Sequence, residues 1–215
     1  MEPTSLHLVS QELAQEYVSG LAMPVEPSEI DLFRIGADFA RYLSDQGATF
    51  CADGLSLTAW EARVDRGLSM LLRPPSRLFA DAGLPIGIAR DFPIRLDLYE
   101  GAMGGCYLPA RLIAQAIVLL DRNLDRSVKR MAEAEMDAVR LQGRMLEAVH
   151  AAGAAGHGLF EALGVVISDE PSSWPSGQPV LTHPTDRDFR NRIELALKPP
   201  EEPGALMRLL GRFGR

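Results

Sequence analysis

The stretch "LIAQAIVLLDRNLDRSVKRMAEAEMDAVRLQGRMLEAVH", residues 112–150, decides how the chain is read. Apolar or small residues recur at Ile113, Ile117, Leu120, Leu124, Val128, Met131, Ala134, Ala138, Leu141, Met145 and Ala148, mostly in alternating steps of three and four. That period gathers one stripe on one side of a helix. It predicts a long helix from about Pro109 to Ala152 with a buried seam, on the order of 60 Å if unbroken at 1.5 Å per residue. Asp121, Asn123 and Asp125 are weak helix formers and mark where a break is expected.

Upstream, residues 6–19 are expected as a first helix. A second is expected in "PSEIDLFRIGADFARYLSDQG", with Ser28 as N-cap, Asp31 three residues on, and Ile30, Phe33, Ala37, Ala40 and Leu43 at helical spacing. In "TFCADGLSL", Asp53-Gly54 is the turn chemistry of a tight hairpin, since both positions tolerate positive φ. Thr58 and Glu61 form a capping-box pattern for a helix over 59–72, which Pro74 and Pro75 interrupt before a short helix near 76–82. "FPIRLDLY" alternates like a strand with one wet face, and "LFEALGVVIS" reads as a last helical turn followed by a short strand. The fold expected is mainly α: a helical bundle around one long helix, with a minor β element from 49–57, 93–99 and 164–168, and α+β as the runner-up.

Residues 1–169 are expected as a helix-rich globular domain. Seven prolines between Pro171 and Pro203 give 170–203 a linker-like composition, with one short helix in "TDRDFRNRIELAL" capped by Thr185 and carrying Phe189, Ile193, Ala196 and Leu197 on one side. Residues 204–215, "GALMRLLGRFGR", form a basic amphipathic segment: Leu206, Leu209, Leu210 and Phe213 on one side, Arg208, Arg212 and Arg215 on the rest. Such a segment docks in a groove of another protein or on an anionic membrane.

A net charge of −7 argues against nucleic acid as a partner, because binders of phosphate backbones carry a clustered positive footprint. The first 33 residues hold six acids and no Lys or Arg, so the two ends of the chain carry opposite charge. The start lacks a basic leader and an apolar core, no run approaches the roughly 20 residues that span a bilayer, and Cys51 and Cys106 are too few for a disulfide framework. The expected setting is cytoplasmic.

Three groups of residues carry chemical possibilities. In "YEGAMGGCYLPARLIAQ", Gly101, Gly104 and Gly105 stand between an expected strand and an expected helix, where backbone N–H groups and Arg111 can meet an anion. The pattern lacks the lysine and hydroxyl of a phosphate loop, so a structural joint is the simpler reading. Cys106 near a helix start is the candidate nucleophile, against the reading of a small packing residue. Glu147 and His150, with His157 and Glu161 a helical turn apart beyond them, are candidate metal ligands, against the reading of hydrogen-bonded surface pairs. No cofactor is named by these patterns. The function expected is a non-enzymatic interaction or adaptor protein that forms homo-oligomers through the long helix and docks a partner through Leu206, Arg208, Leu209, Leu210, Arg212 and Phe213. The alternatives are a small-molecule-binding protein or thiol-dependent enzyme at the glycine loop, and a metal-binding bundle.

Overall fold

"TSLHLV" at the start of the chain alternates polar Ser5 and His7 with apolar Leu6 and Leu8, and in the computed structural model it is a strand, β1 (Thr4–Val9). The structure describes residues 4–22, 26–51, 55–91, 103–163 and 187–198. The helix expected over 6–19 starts only at α1 (Gln11–Ser19), because Ser10 is extended and its hydroxyl accepts from the Leu13 N–H at 3.1 Å. The Ser28 capping box forms as expected at α2 (Glu29–Gln46): Asp31 accepts from the Ser28 N–H at 2.9 Å and the Ser28 hydroxyl accepts from the Asp31 N–H at 3.3 Å.

β2 (Thr49–Cys51) pairs antiparallel with β1, but the second arm of the expected hairpin makes no strand: Leu55 and Ser56 lead into a helix that starts at Leu57. Asp53 and Gly54 lie outside the described residues. Ser56, two residues before the expected capping residue, starts α3 (Leu57–Arg63) by accepting from the Ala59 N–H at 3.0 Å. The helix expected to reach residue 72 ends early: Asp65 accepts from the Gly67 N–H at 2.9 Å and turns the chain into a 3-10 segment, Arg66–Met70. Two short helices follow, α4 (Pro75–Asp81) and α5 (Ile86–Ala89). The strand expected at 93–99 lies outside the described residues.

β3 (Met103–Leu108) contains Gly104, Gly105 and Cys106, which therefore belong to a strand and not to a loop at a helix start. Its register against β4 (Gly158–Leu163) shifts between Met103 and Tyr107, the irregularity that adjacent glycines favour in a strand. "LFEAL" is thus strand where a helical turn was expected: Leu159 and Glu161 face one way, Phe160 and Ala162 the other, a period of two. The strand expected at 164–168 lies outside the described residues.

The single long helix is not formed. Its sequence makes α6 (Ala110–Arg122), α7 (Leu124–Glu133) and α8 (Ala138–Ala155). The first break falls at Asn123, inside the stretch of weak helix formers. The second falls in "AEAEM", a run of good helix formers. There Glu135 takes φ 55°, its N–H bonds to the Ala132 carbonyl at 3.1 Å, and the Met136 N–H reaches the Met131 carbonyl at 2.9 Å. This is the Schellman arrangement, with glutamate where glycine is usual, and Asp137 then caps α8 through the Arg140 N–H at 3.0 Å. Folded back, the seam is buried within the chain: Ile113, Leu120, Leu124, Val128, Met131, Leu141 and Met145 join one core. It is therefore not the continuous coiled-coil surface on which self-association was expected. Gly153 lets α8 approach α6, since a Cβ there would stand 3.2 Å from Ile117 Cδ1.

The sheet order is β2-β1-β4-β3, antiparallel throughout, with helices on both faces. Leu6, Phe50, Leu108 and Leu159 pack under α3, α6, α7 and α8, whereas Val9, Cys51, Phe160 and Ala162 pack under α2 and α4. Phe39 of α2 meets Phe79 and Phe160 edge-on with centroids 5.2 Å apart. α9 (Arg187–Leu197), the helix expected within the proline-rich segment, docks on α7 and α8 with Ile193 fully buried. Residues 204–215 lie outside the described residues, as does Thr185.

Glu135→Gly should raise the unfolding free energy by roughly 0.5–1 kcal/mol, because a left-handed conformation strains every residue with a Cβ. Urea denaturation reads this as a higher midpoint at unchanged slope; an unchanged or lower midpoint would show that Glu135 is not strained.

Candidate functional site

Glu161 sits opposite Leu6 in the middle of the sheet and is fully buried on the α3 side. One carboxyl oxygen accepts from the Ser56 hydroxyl at 2.6 Å; the other accepts from the Thr58 hydroxyl at 2.7 Å and from the Cys106 thiol at 2.9 Å. A buried carboxyl group without partners costs several kcal/mol, and three side-chain donors offset that cost. Cys106 has an acid beside it, but the thiol is 6 % exposed and serves as a donor inside the core. It lies in a strand ahead of Pro109, so the field of α6 does not act on it as on a first-turn residue. In this geometry Cys106 packs in the core and hydrogen-bonds to Glu161. Gly104 and Gly105 belong to the same strand, and Gly101 lies outside the described residues.

The other face of the sheet holds a second polar group. His7 is fully buried between the Ser5 hydroxyl, 2.8 Å from Nε2, and the Thr49 hydroxyl, 3.1 Å from Nδ1. Burial lowers its pKa to about 3, so the folded protein holds a neutral imidazole.

The metal quartet does not assemble. His157 and Glu161 were paired as helical neighbours, but a strand begins at Gly158 and carries Glu161 about 13 Å away at 3.3 Å per residue. Glu147 is paired with Arg144 at 2.6 Å, and His157 Nδ1 donates to the Ala155 carbonyl at 2.6 Å. Among the described residues, no three His, Cys, Asp or Glu converge as metal ligands.

Arg111, expected beside the glycine loop, lines a cleft of about 300 Å³ with Arg73, Arg77, Glu12 and Asp81. Here the charges largely compensate: Arg77 pairs with Asp81 at 3.1 Å, and Arg73 donates to the Met70 and Leu72 carbonyls at 2.9 and 2.6 Å.

A larger cleft, of about 570 Å³, lies between the end of α3 and the α6–α7 junction. Arg122, Arg126 and Arg130 descend one wall at intervals of four residues, and Arg63 and Arg66 stand on the other. All five are exposed. Among the described residues the one acid lining it, Asp65, is buried in the floor and bonded there: it accepts from the Gly67 N–H at 2.9 Å and from Asn123 Nδ2 at 2.6 Å, with Arg126 Nη2 at 3.5 Å. Arg130 Nη1 donates across the cleft to the Val64 carbonyl at 2.7 Å. Among the described residues, Arg63, Arg66 and Arg122 make no ion pair. Asn123, at the α7 cap, gives its side chain to Asp65 and leaves that helix start without a side-chain cap. The sequence reading missed this cleft, although the four-residue spacing of Arg126 and Arg130, with Arg122 four residues before them, was a visible signal of clustered cations.

No family model matches this chain, and neither a curated protein nor a solved structure is similar to it.

Two predictions follow from the buried groups. Glu161→Ala should lower the unfolding free energy by about 3 kcal/mol, since three buried donors lose their acceptor, and Glu161→Gln should cost less. A loss under about 1 kcal/mol by chemical denaturation would refute the hub role of this carboxyl group. For His7, the unfolded chain binds a proton below its ordinary pKa of 6.5 and the native state does not until about 3. Unfolding therefore takes up a proton in that window, and the contribution of His7 to stability is lost progressively as pH falls from 6.5 toward 3. The difference in stability between wild type and His7→Asn, followed over that range, should shrink; a constant difference would contradict the buried neutral ring.

Proposed function

We propose that this protein is a non-enzymatic binding protein whose ligand is an anion held in the arginine cleft. The observation that carries the reading is five guanidiniums around one cavity whose only lining acid, among the described residues, is already bonded in its floor. Arginine is suited to this role because its planar fork of donors stays charged and meets oxyanions in a bidentate way. Five clustered cations facing a single carboxylate raise the free energy of the folded state, and a bound anion relieves that repulsion. The groups with potential for covalent or acid–base chemistry, Cys106, Glu161 and His7, are instead buried in the core and bonded to neighbouring side chains.

The adaptor reading is kept for the C-terminal segment. Buried Ile193 fixes α9 to the folded body, so residues 204–215 are joined to it through the short stretch 199–203. In this proposal that segment engages an anionic partner surface through Arg208 and Arg212, with Leu206, Leu209, Leu210 and Phe213 supplying the apolar contact.

The test of the cleft is charge reversal at matched net charge. Tripolyphosphate titrated into the full chain should perturb backbone amide resonances of 63–67 and 119–130, and affinity should fall as salt rises. Arg122→Glu with Arg126→Glu should weaken binding by about a hundredfold or more, roughly 3 kcal/mol. Arg77→Glu with Arg111→Glu, in the other cleft, should change it by less than about threefold. Equal losses from both pairs would mean a general charge effect and no site.

A further inference from the structure

We infer that the anion is a compact ligand carrying two or more phosphate groups and recognised through those groups alone, an inference that rests on the anion-binding reading of the arginine cleft. A single phosphate group offers three strongly accepting oxygens, whereas Arg63, Arg66, Arg122, Arg126 and Arg130 each present a fork of N–H donors. Arg130 gives one donor to Val64 and Arg126 makes only a 3.5 Å approach to Asp65, so most of this donor capacity faces ligand or water.

Arg126 and Arg130 are four residues apart on α7, about 6 Å of helix rise at 1.5 Å per residue, Arg122 lies beyond the break at the end of α6, and Arg63 and Arg66 face them from the opposite wall. A ligand that engages both ends and both walls needs several anionic groups spread over a comparable length. A cavity of about 570 Å³ is in the range of small-molecule sites.

Among the described residues around the cleft there is no aromatic side chain, and Val64 and Leu119 are its apolar members. Stacking platforms are the general means of holding a nucleobase. The site therefore distinguishes ligands by their phosphates and gains little from an attached base. A long polyanion is disfavoured for a different reason: beyond a Debye length of about 8 to 10 Å the cleft field is screened, and the chain as a whole carries −7. A compact ligand stays within the positive field.

The experiment is a calorimetric series on the full chain at one salt concentration, with inorganic phosphate, pyrophosphate, tripolyphosphate, ATP and a hexaglutamate peptide. Affinity should rise about tenfold or more from phosphate to pyrophosphate and again to tripolyphosphate, with ATP within about threefold of tripolyphosphate. Arg63→Ala with Arg66→Ala should flatten that series, because it removes the second wall while leaving the Asp65 floor intact; circular dichroism and a thermal melt report whether the variant is folded. Phosphate binding as tightly as tripolyphosphate would overturn the inference. So would ATP binding more than tenfold tighter, or hexaglutamate matching tripolyphosphate; each of these leaves an anion site in place. Absence of binding by every anion in the series removes both the inference and the reading beneath it.

Discussion

The carboxyl group of Glu161 is the constraint on which the rest of this structure depends. It stands in a central strand, and its three donors come from α3 and β3. The Ser56 hydroxyl has two roles at once: its oxygen accepts from the first turn of α3 and its proton goes to Glu161. The start of α3 is thereby held over the sheet at a defined point, which an apolar contact, having no directionality, does not achieve. Leu57 and Trp60 then pack into the core beside α6 and α8, and α3 ends at Arg63. The placement of the arginine cleft begins with a hydrogen bond on the far end of the same helix.

The cleft itself is held open by polar contacts of the same kind. Asp65 joins the turn after α3 to Asn123 at the α6–α7 break, and Arg130 spans from α7 to the Val64 carbonyl. Gly67 allows the two walls to approach, since a Cβ at that position would lie 3.1 Å from both Asp65 Oδ1 and Leu119 Cδ1. These contacts order the backbone before any ligand arrives, so less of the binding free energy is lost to ordering the walls. A break in the helix is essential to this geometry: a continuous helix through Asn123 would have kept that side chain on a regular surface and not at the junction where Asp65 meets it.

How much of this was legible in the sequence follows from the range of the interactions. α2 was readable because Ser28 and Asp31 are three residues apart and satisfy each other locally. α9 was readable for the same reason, its apolar face recurring within one short segment. Residues 6–9 and 159–163 read as helix because short apolar runs suit helix and strand alike, and the choice is made by pairing across the chain, as between Leu6 and Glu161. The break at Glu135 opposes local propensity and is imposed by packing, with Met131 fully buried and Met136 partly buried against the same core. The Cys106–Glu161 contact joins residues 55 positions apart, and no local pattern announces it. Arg122, Arg126 and Arg130 recur every four residues in the sequence, but the opposing wall comes from residues near 65, and only the fold brings the two together.

The two kinds of polar cluster in this protein differ in what completes them. Around Glu161 and His7 the donors and acceptors are matched within the core, so these groups specify a unique packing and have no remaining demand for a ligand. Around Asp65 the matching stops one layer short of the surface: the acid is satisfied, while Arg63, Arg66 and Arg122 stand exposed with no ion pair among the described residues. Water satisfies a guanidinium well enough to keep the fold, but it does not cancel the mutual repulsion of five of them in one cavity. On a chain of net charge −7, such a local excess is an electrostatic arrangement that folding alone does not require. An anion in the cleft would lower the energy of the folded state and leave the unfolded state almost unaffected, so in the proposed reading the feature that weakens the isolated fold is the one that would couple it to a ligand.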